Sequence, residues 1–170
     1  VIGTGATIII PREAVDEGVT VQPEAELSLV ISKRARRVSR EDALGYVLGY
    51  TCGNDVSARN WQWSDLQWWR AKSSDTFTPL GPYVVSDLDP SNLHLIARIN
   101  GEVVQDQVTS DLLFDVPTII EFVTRVVTLE AGDVIMTGTP GAPGDIRSGD
   151  IVEVEIEGIG VLSNPVKAEE

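Results

Sequence analysis

The sequence is poor in the residues that build disulfides and zinc sites. Its 170 residues include one cysteine, Cys52, and one histidine, His94. A single cysteine excludes an internal disulfide framework, and one histidine excludes any site that needs two histidines from this chain, as zinc fingers and zinc proteases do. The chain is long enough to bury a sizeable hydrophobic core, so it is expected to fold without disulfides or structural zinc.

Basic residues and long apolar runs are also scarce. Lysine and arginine number 13 against 26 aspartates and glutamates, which gives a formal net charge of −13. Nucleic acids and anionic membrane surfaces need a basic face, and a transmembrane helix needs about 20 consecutive apolar residues. The stretch from Val1 to Ile10 has neither the basic start nor the apolar run of a signal peptide. We therefore expect no nucleic-acid partner, no membrane partner and a cytoplasmic location.

The apolar pattern predicts an α+β fold that is mainly β, with strands outnumbering helices by about three to one. From Pro23 the residues alternate, with Ala25, Leu27 and Leu29 on one face and acidic residues on the other, as in a half-buried strand. The pair Asn100-Gly101 predicts a hairpin, and Asp115 is expected to cap a helix that has Pro117 near its start.

Two further local predictions follow from the same patterns. Ser39 followed by acidic residues resembles a helix start, and helical spacing then continues to about Gly49. The polar segment 12–18 is typical of a turn. No repeat or linker divides the chain, so residues 1–170 are expected to form a single domain.

Glu24 and Glu26 form the first pair of candidate metal ligands. On a strand their Cα atoms lie about 6.6 Å apart on one face. Two neighbouring carboxylates repel each other, and a shared hard cation relieves that repulsion, although a solvated acidic strand edge has the same pattern. Asp55, in the run Gly-Asn-Asp-Val-Ser, is either a turn residue or a third ligand. Such an all-carboxylate site suits Mg²⁺ or Mn²⁺, with Ca²⁺ also compatible, and does not suit zinc.

A second group of candidates surrounds the tryptophans. Arg59, Gln62 and Lys72 lie near Trp61, Trp63, Trp68 and Trp69, so the two cations either bind an anionic substrate or lie over aromatic rings. Thr139 belongs to a Thr-Gly-Thr-Pro run after an apolar strand. This run either offers N–H groups and a hydroxyl to a carboxylate or simply forms a turn.

Together, the order and spacing of these motifs resemble the fumarylacetoacetate hydrolase family, specifically its C-terminal catalytic domain. The matching runs are Pro-Glu-Ala-Glu-Leu (23–27), Gly-Tyr-Thr-Cys-Gly-Asn-Asp-Val-Ser-Ala-Arg-Asn-Trp-Gln (49–62), Lys-Ser-Ser-Asp-Thr-Phe-Thr-Pro-Leu-Gly-Pro (72–82), Asn-Gly-Glu with Gln105, Gly-Asp-Val-Ile-Met-Thr-Gly-Thr-Pro (132–140), Ser-Gly-Asp (148–150) and Gly-Ile-Gly-Val-Leu-Ser-Asn (158–164).

The resemblance implies a mixed β-sheet roll with a few short helices, and a homodimer. It implies that Glu24, Glu26 and Asp55 bind Mg²⁺ or Mn²⁺ and that Arg59, Gln62, Lys72 and Thr139 surround the substrate. We assign Lys72 the catalytic role of stabilising an oxyanion. Thr139 is expected to bind the substrate carboxylate, and Arg59 and Gln62 are expected to bind the distal end of the substrate.

The implied substrates are 2-oxo acids and β-dicarbonyl compounds. A divalent cation that chelates the carboxylate and keto oxygen would stabilise the enolate formed when the next C–C bond breaks, by hydrolysis or decarboxylation. Alternatives are an isomerase or dehydratase of 2-oxo acids in aromatic or sugar-acid breakdown, and an inactive metal-binding member. Hydrolases and decarboxylases of the family look to carry a His and a Glu on an upstream lid, and this dyad activates water. The sequence starts after that position, so we expect it to lack the lid segment, and His94 does not match the dyad histidine.

Overall fold

A computed structural model describes residues 1–170 as strands joined by short helices. The strands, in chain order, are β1 (Ile8–Ile10), β2 (Val21–Gln22), β3 (Ala25–Ile31), β4 (Val47–Asn54), β5 (Ser57–Ala58), β6 (Leu80–Val85), β7 (His94–Ile99), β8 (Glu102–Val108), β9 (Val134–Met136), β10 (Ile151–Ile156) and β11 (Gly160–Ala168). The α-helices are α1 (Arg12–Asp16), α2 (Arg59–Ser64), α3 (Trp69–Lys72) and α4 (Val116–Thr124), and 3₁₀ turns span Ala43–Tyr46, Pro90–Asn92 and Thr109–Asp111.

Most strands belong to two sheets. One sheet has the order β1-β11-β10-β7-β8 and the other β6-β4-β3-β9, while β2 and β5 form a separate short pair. Only β1 and β11 run parallel; the other pairs are antiparallel. The predicted α+β, mainly β architecture is confirmed. No helix is long and apolar enough to cross a lipid bilayer.

The main hydrophobic core receives side chains from both large sheets. Strand β3 contributes Leu27, Leu29 and Ile31, and the facing sheet contributes Leu95 and Val154, all buried. The opposite face of β3, which carries the acidic residues, is also buried. The strand is therefore covered on both faces rather than half-buried, and its acidic face points into the protein.

The predicted hairpin joins β7 to β8 and contains a bulge. Asn100 and Gly101 have positive φ angles of 53° and 82°, the backbone that an Asn-Gly turn favours. Arg98 pairs with Val103, but Ala97 pairs with Gln105, so Val104 has no partner opposite it. The extra residue changes which side chains of β8 point inward.

The predicted helix after Ser39 is wrong. Only the 3₁₀ turn Ala43–Tyr46 forms there, and β4 starts at Val47. Pairing with β3 from Val47 to Asn54 satisfies the backbone and buries Tyr50 and Cys52, and that gain exceeds the local helical preference. The turn predicted for residues 12–18 is also wrong, because α1 forms over Arg12–Asp16. Its residue Ala14 is buried in a second, smaller hydrophobic cluster that also includes Ile8 and Val166.

The predicted cap of α4 is confirmed. Asp115 Oδ1 accepts a hydrogen bond from the Thr118 N–H at 2.9 Å, and both carboxylate oxygens accept from Arg40, at 2.8 and 2.5 Å. The bonds from Arg40 and Thr118 lower the pKa of Asp115 to about 2.

We expect Asp115→Ala to lower the free energy of unfolding by about 1–2 kcal/mol, because it removes both the cap and the ion pair. Asp115→Asn keeps the cap and should lose less. Since the folded pKa lies below the ordinary value of 3.8, the ion pair stabilises above that pH and is lost as the pH falls through about 2. Urea unfolding at pH 7 and across this range measures these effects. Equal losses for the two variants at pH 7 would contradict the capping role.

Candidate active site

Three carboxylates converge at one end of the β3–β4 pair. One oxygen atom from each of Glu24, Glu26 and Asp55 lies within 4.8 Å of the others. The antiparallel register explains this, since Ala25 pairs with Asn54 and the Asp55 N–H donates to the Glu24 carbonyl at 2.9 Å. The start of one strand and the end of the next therefore bring together residues about 30 positions apart.

Burial strongly affects these carboxylates. Glu24 and Glu26 are 7% and 4% exposed, so they do not form a solvated strand edge. Burial raises the pKa of Glu26 to about 7; the N–H of Gly138 opposes this shift, and the negative charges of Asp55 and Glu24 add to it. Burial also raises the pKa of Asp55, against the stabilising hydrogen bond from Lys72.

Two basic side chains contact the acidic cluster. Lys72 Nζ lies 2.6 Å from Glu24 Oε2 and 2.6 Å from Asp55 Oδ2. Arg59 places a guanidinium nitrogen 2.5 Å from Glu24 Oε1. Three carboxylates thus face two cations, a formal excess of one negative charge when all are ionised. Neither Arg59 nor Lys72 is the cation found over a tryptophan: Arg70 lies over the Trp61 ring, 4.5 Å from its centroid.

The short helices α2 and α3 supply these cations and also an exposed apolar surface. Arg59 begins α2 and Lys72 ends α3. Between them Trp63, Leu66 and Trp69 are 79%, 100% and 71% exposed. The tryptophan-rich segment therefore presents its cations to the acidic cluster and most of its aromatic rings to solvent.

Arg59 is held by two amide side chains. Its Nε donates to Gln22 Oε1 at 2.7 Å, and a terminal nitrogen donates to Gln62 Oε1 at 2.8 Å. Gln22 in turn donates to Asp145 at 2.8 Å. The sequence reasoning did not identify Gln22 or Asp145, because no local motif links residues 123 positions apart.

The loop after β9 lies against the cluster. Gly138 donates its N–H to Glu26 Oε2 at 2.6 Å. The Thr139 hydroxyl donates to the Ala25 carbonyl at 2.8 Å and accepts from Gln105 Nε2 at 2.8 Å. Its hydrogen is therefore already used within the chain, and the assignment of Thr139 to a substrate carboxylate stays a prediction.

Gly53 leaves no room for a side chain beside the cluster. It pairs with Glu26 across the two strands. A Cβ atom at this position would lie 2.1 Å from Ser28 Oγ and 2.8 Å from Met136 Cε. The sheet is therefore closely packed under the acidic residues, and Ser28 Oγ is itself buried without a hydrogen-bond partner.

A cavity of about 700 Å³ adjoins the same loop but not the carboxylates. Its walls are mainly apolar and include Leu27, Leu95, Phe114 and Met136, together with the loop residues 137–140. None of the three acidic residues lines it. We therefore place the candidate active site at the charged groups and not in this cavity.

The donor set fits a hard divalent cation. All three side chains offer carboxylate oxygens, the ligands preferred by Mg²⁺, Mn²⁺ and Ca²⁺, and the cluster contains no thiolate or imidazole. A dication would also offset the negative charge that burial makes costly. Glu24, Glu26 and Asp55 could therefore hold such an ion.

Comparison with known proteins places the chain in a defined group. It matches, over residues 1–167, the family model described as "Fumarylacetoacetate (FAA) hydrolase C-terminal". An uncharacterized protein of Archaeoglobus fulgidus is 52% identical over 164 residues, which are 96% of this chain and 64% of that protein. The mitochondrial oxaloacetate tautomerase fahd2 of Xenopus laevis is 40% identical over 178 residues, covering 98% of this chain and 54% of that protein.

Solved structures give the same result. The 5-carboxymethyl-2-hydroxymuconate delta-isomerase from Mycobacterium smegmatis superposes with a TM-score of 0.94 at 46% identity, covering 99% of this chain and 65% of that one. Maleylpyruvate hydrolase from Sphingobium sp. SYK-6, in complex with manganese (II) ion and pyruvate, gives a TM-score of 0.89 at 32% identity, covering 99% and 61%. The chain thus spans less than two thirds of the length of each of these four proteins.

We expect Glu26→Gln to separate ion binding from folding. The amide oxygen can still accept from Gly138, while one buried negative charge is removed, so unfolding without divalent ions should need as much urea as in the wild type, or more. Mg²⁺ or Mn²⁺ at 100 times its Kd should stabilise the wild type by about 2.7 kcal/mol and the variant far less. Urea unfolding with and without the ion measures both effects, and equal stabilisation of the two proteins would contradict the assigned ligand role.

Proposed function

The chain belongs to the fumarylacetoacetate hydrolase family, and from this premise we propose that it acts as a divalent-metal-dependent enzyme on 2-oxo acids. The observation that carries the proposal is the convergence of Glu24, Glu26 and Asp55 with Lys72 and Arg59 in one cluster that is largely shielded from solvent. A 2-oxo acid combines a carboxylate with a neighbouring keto oxygen. It therefore needs positive charge and N–H donors around a pair of oxygens.

The three carboxylates are the proposed ligands of Mg²⁺ or Mn²⁺, with Ca²⁺ as a further compatible ion. When bound, the ion would supply positive charge to a substrate oxygen on which negative charge develops. The similarity to the Sphingobium maleylpyruvate hydrolase, described with manganese (II) and pyruvate, supports this assignment.

Lys72 is proposed as the catalytic residue that stabilises the same oxyanion. An ammonium group has three N–H donors, and Lys72 uses two of them on Glu24 and Asp55. The third donor is left for a substrate oxygen. Lys72 ends a helix packed beside the cluster, so its charge is held in place before substrate arrives, which is the condition for effective electrostatic stabilisation.

Arg59, Gln62 and Thr139 are proposed to orient the substrate. Arg59 directs one nitrogen to Gln22 and a second to Glu24 and Gln62, which leaves the remaining terminal nitrogen free to bind the distal end. The Gln62 oxygen accepts from Arg59, which leaves its amide N–H groups as the donors proposed to contact the substrate. At Thr139 the hydroxyl is engaged, whereas the backbone N–H has no partner within the chain and is suited to a substrate carboxylate.

The proposed reaction is cleavage of a C–C bond in acylpyruvates or related β-dicarbonyl 2-oxo acids, by hydrolysis or decarboxylation. In hydrolysis, water adds to the acyl carbonyl and the acyl group leaves as a carboxylic acid; in decarboxylation, the fragment that leaves is CO2. In both reactions the electron pair of the breaking C–C bond moves toward the keto oxygen, where Lys72 would stabilise the enolate until its carbon takes up a proton. A dimer is implied by the family resemblance and stays a prediction, as does the cytoplasmic location.

Isomerisation of 2-oxo acids is the second candidate, because it develops the same charge without breaking a C–C bond. Similarity to an isomerase from Mycobacterium smegmatis and a tautomerase from Xenopus laevis favours it. His94, the single histidine, has Nε2 2.5 Å from Asp106, and we assign it a role in neither reaction.

A panel of acylpyruvates, oxaloacetate and unsaturated 2-oxo acids, assayed with Mg²⁺ and Mn²⁺, distinguishes the two reactions. Pyruvate release indicates C–C cleavage, whereas a change in the ultraviolet spectrum without a released product indicates isomerisation. We expect chelation or Glu26→Gln to lower the rate by about 100-fold or more. Glu102→Gln, which changes an exposed carboxylate on β8, is the matched control and should keep full activity.

Activity that survives both chelation and Glu26→Gln would contradict the metal-dependent mechanism. Ion binding without turnover of any substrate in the panel would instead support an inactive, metal-binding member of the family.

A further inference from the structure

Gln105 is a buried polar residue on a strand that is otherwise accessible to solvent. It is 5% exposed, and no other residue of β8 is buried. Its position results from the bulge at Val104. A regular hairpin from the Asn100-Gly101 turn would pair Val104 with Ala97 and leave Gln105 opposite Ile96 on the other face. With the bulge, Gln105 pairs with Ala97, a small core residue, and points inward.

The Gln105 amide contacts the backbone that separates two of the acidic residues. Oε1 accepts from the Ala25 N–H at 3.1 Å, and Nε2 donates to Thr139 Oγ1 at 2.8 Å and to the Pro140 carbonyl at 2.5 Å. The Thr139 hydroxyl closes the ring by donating to the Ala25 carbonyl. Both backbone polar groups of Ala25, the residue between Glu24 and Glu26, are therefore held by side chains from elsewhere in the chain.

The same side chain also holds the loop that orients Glu26. Gly138, whose N–H binds Glu26 Oε2, immediately precedes Thr139 and Pro140, the two residues that Gln105 fixes. The buried amide of Gln105 thus fixes the backbone between the two glutamates. It also fixes the loop whose Gly138 N–H orients the Glu26 carboxylate.

We propose that Gln105 and Thr139 form a clamp that positions Glu24 and Glu26 and thereby sets the affinity of the acidic cluster for a divalent ion. Both are positioning residues, since they act through the carboxylates. The proposal rests on the proposed function for its account of ion affinity, but the clamp itself is a property of the folded chain. Residues that orient metal ligands commonly change affinity by about 10–100-fold when they are replaced.

The test compares Gln105→Met, which keeps the side-chain length and removes every hydrogen bond, with Gln107→Met on the same strand. Gln107 is exposed and serves as the matched control. Calorimetric titration of the full chain with Mn²⁺ should give a Kd raised about tenfold or more for Gln105→Met and unchanged for Gln107→Met. Hydrogen exchange without the ion should be faster at the Ala25 amide in Gln105→Met only.

A second pair of variants keeps the test valid if Gln105→Met does not fold. Thr139→Val removes the hydroxyl at nearly constant volume and should also raise the Kd for Mn²⁺, while Thr139→Ser keeps the hydroxyl and should preserve the affinity. Where both single variants fold, their combined effect should be smaller than the product of the separate fold-changes, because they break one ring of hydrogen bonds.

The outcomes separate the clamp from the proposed function. If the wild type binds Mn²⁺ and folded Gln105→Met or Thr139→Val binds it equally well, the clamp proposal is overturned. If the wild type binds no divalent ion, the proposed function is wrong, and the clamp is then judged by exchange at Ala25. Unchanged exchange in Gln105→Met overturns it. If that variant does not fold, unchanged exchange in Thr139→Val overturns it, because Gln105 there loses one of the two groups that hold its Nε2.

Discussion

Charge repulsion among three carboxylates, two of them buried and the third partly buried, is the constraint on which the site depends. Glu24, Glu26 and Asp55 are brought within 4.8 Å of one another in a place where water screens them poorly. Lys72 and Arg59 compensate part of that charge through contacts of 2.5–2.6 Å. The cluster is therefore stable only while its cations stay in place, which ties the short helices α2 and α3 to the sheet that carries the acids.

Backbone hydrogen bonds, in addition to the two cations, hold the acidic residues in place against their mutual repulsion. Glu24 donates its N–H to the Asn54 side chain at 2.9 Å, and Gly138 donates to Glu26. The backbone of Glu24 and the carboxylate of Glu26 are thus each fixed by a neighbouring strand or loop. Preorganisation of this kind is what a site needs if its charges must already be aligned when a substrate arrives.

Much of this arrangement could be predicted from the sequence, because the signals are local. The alternation from Pro23 predicted β3, Asn100-Gly101 predicted the hairpin, and Asp115 predicted the helix cap. The convergence of three acidic residues came from the order of motifs in the family resemblance, since no single motif was decisive. The structure brings those residues together, while their roles toward an ion and a substrate stay predictions.

The parts that could not be predicted depend on distant partners. The segment after Ser39 has helical spacing, but it forms only a 3₁₀ turn, and from Val47 its pairing with β3 makes it a strand. Gln105 faces the interior because one extra residue shifts the register of β8, and nothing in the residue type signals a bulge. The link from Gln22 to Asp145 joins positions too far apart for any pattern to connect them.

The close packing at Gly53 has a consequence for attempts to broaden the range of molecules that the protein accepts. The floor of the site cannot be reshaped there, because even a methyl group would collide with Ser28 and Met136. The helices on the other side carry Trp63 and Trp69 in contact with solvent, where bulk can be added or removed without disturbing a core. Directed evolution of this scaffold should therefore vary exposed positions such as Trp63 and Trp69 and leave Arg59, Lys72 and the sheet unchanged.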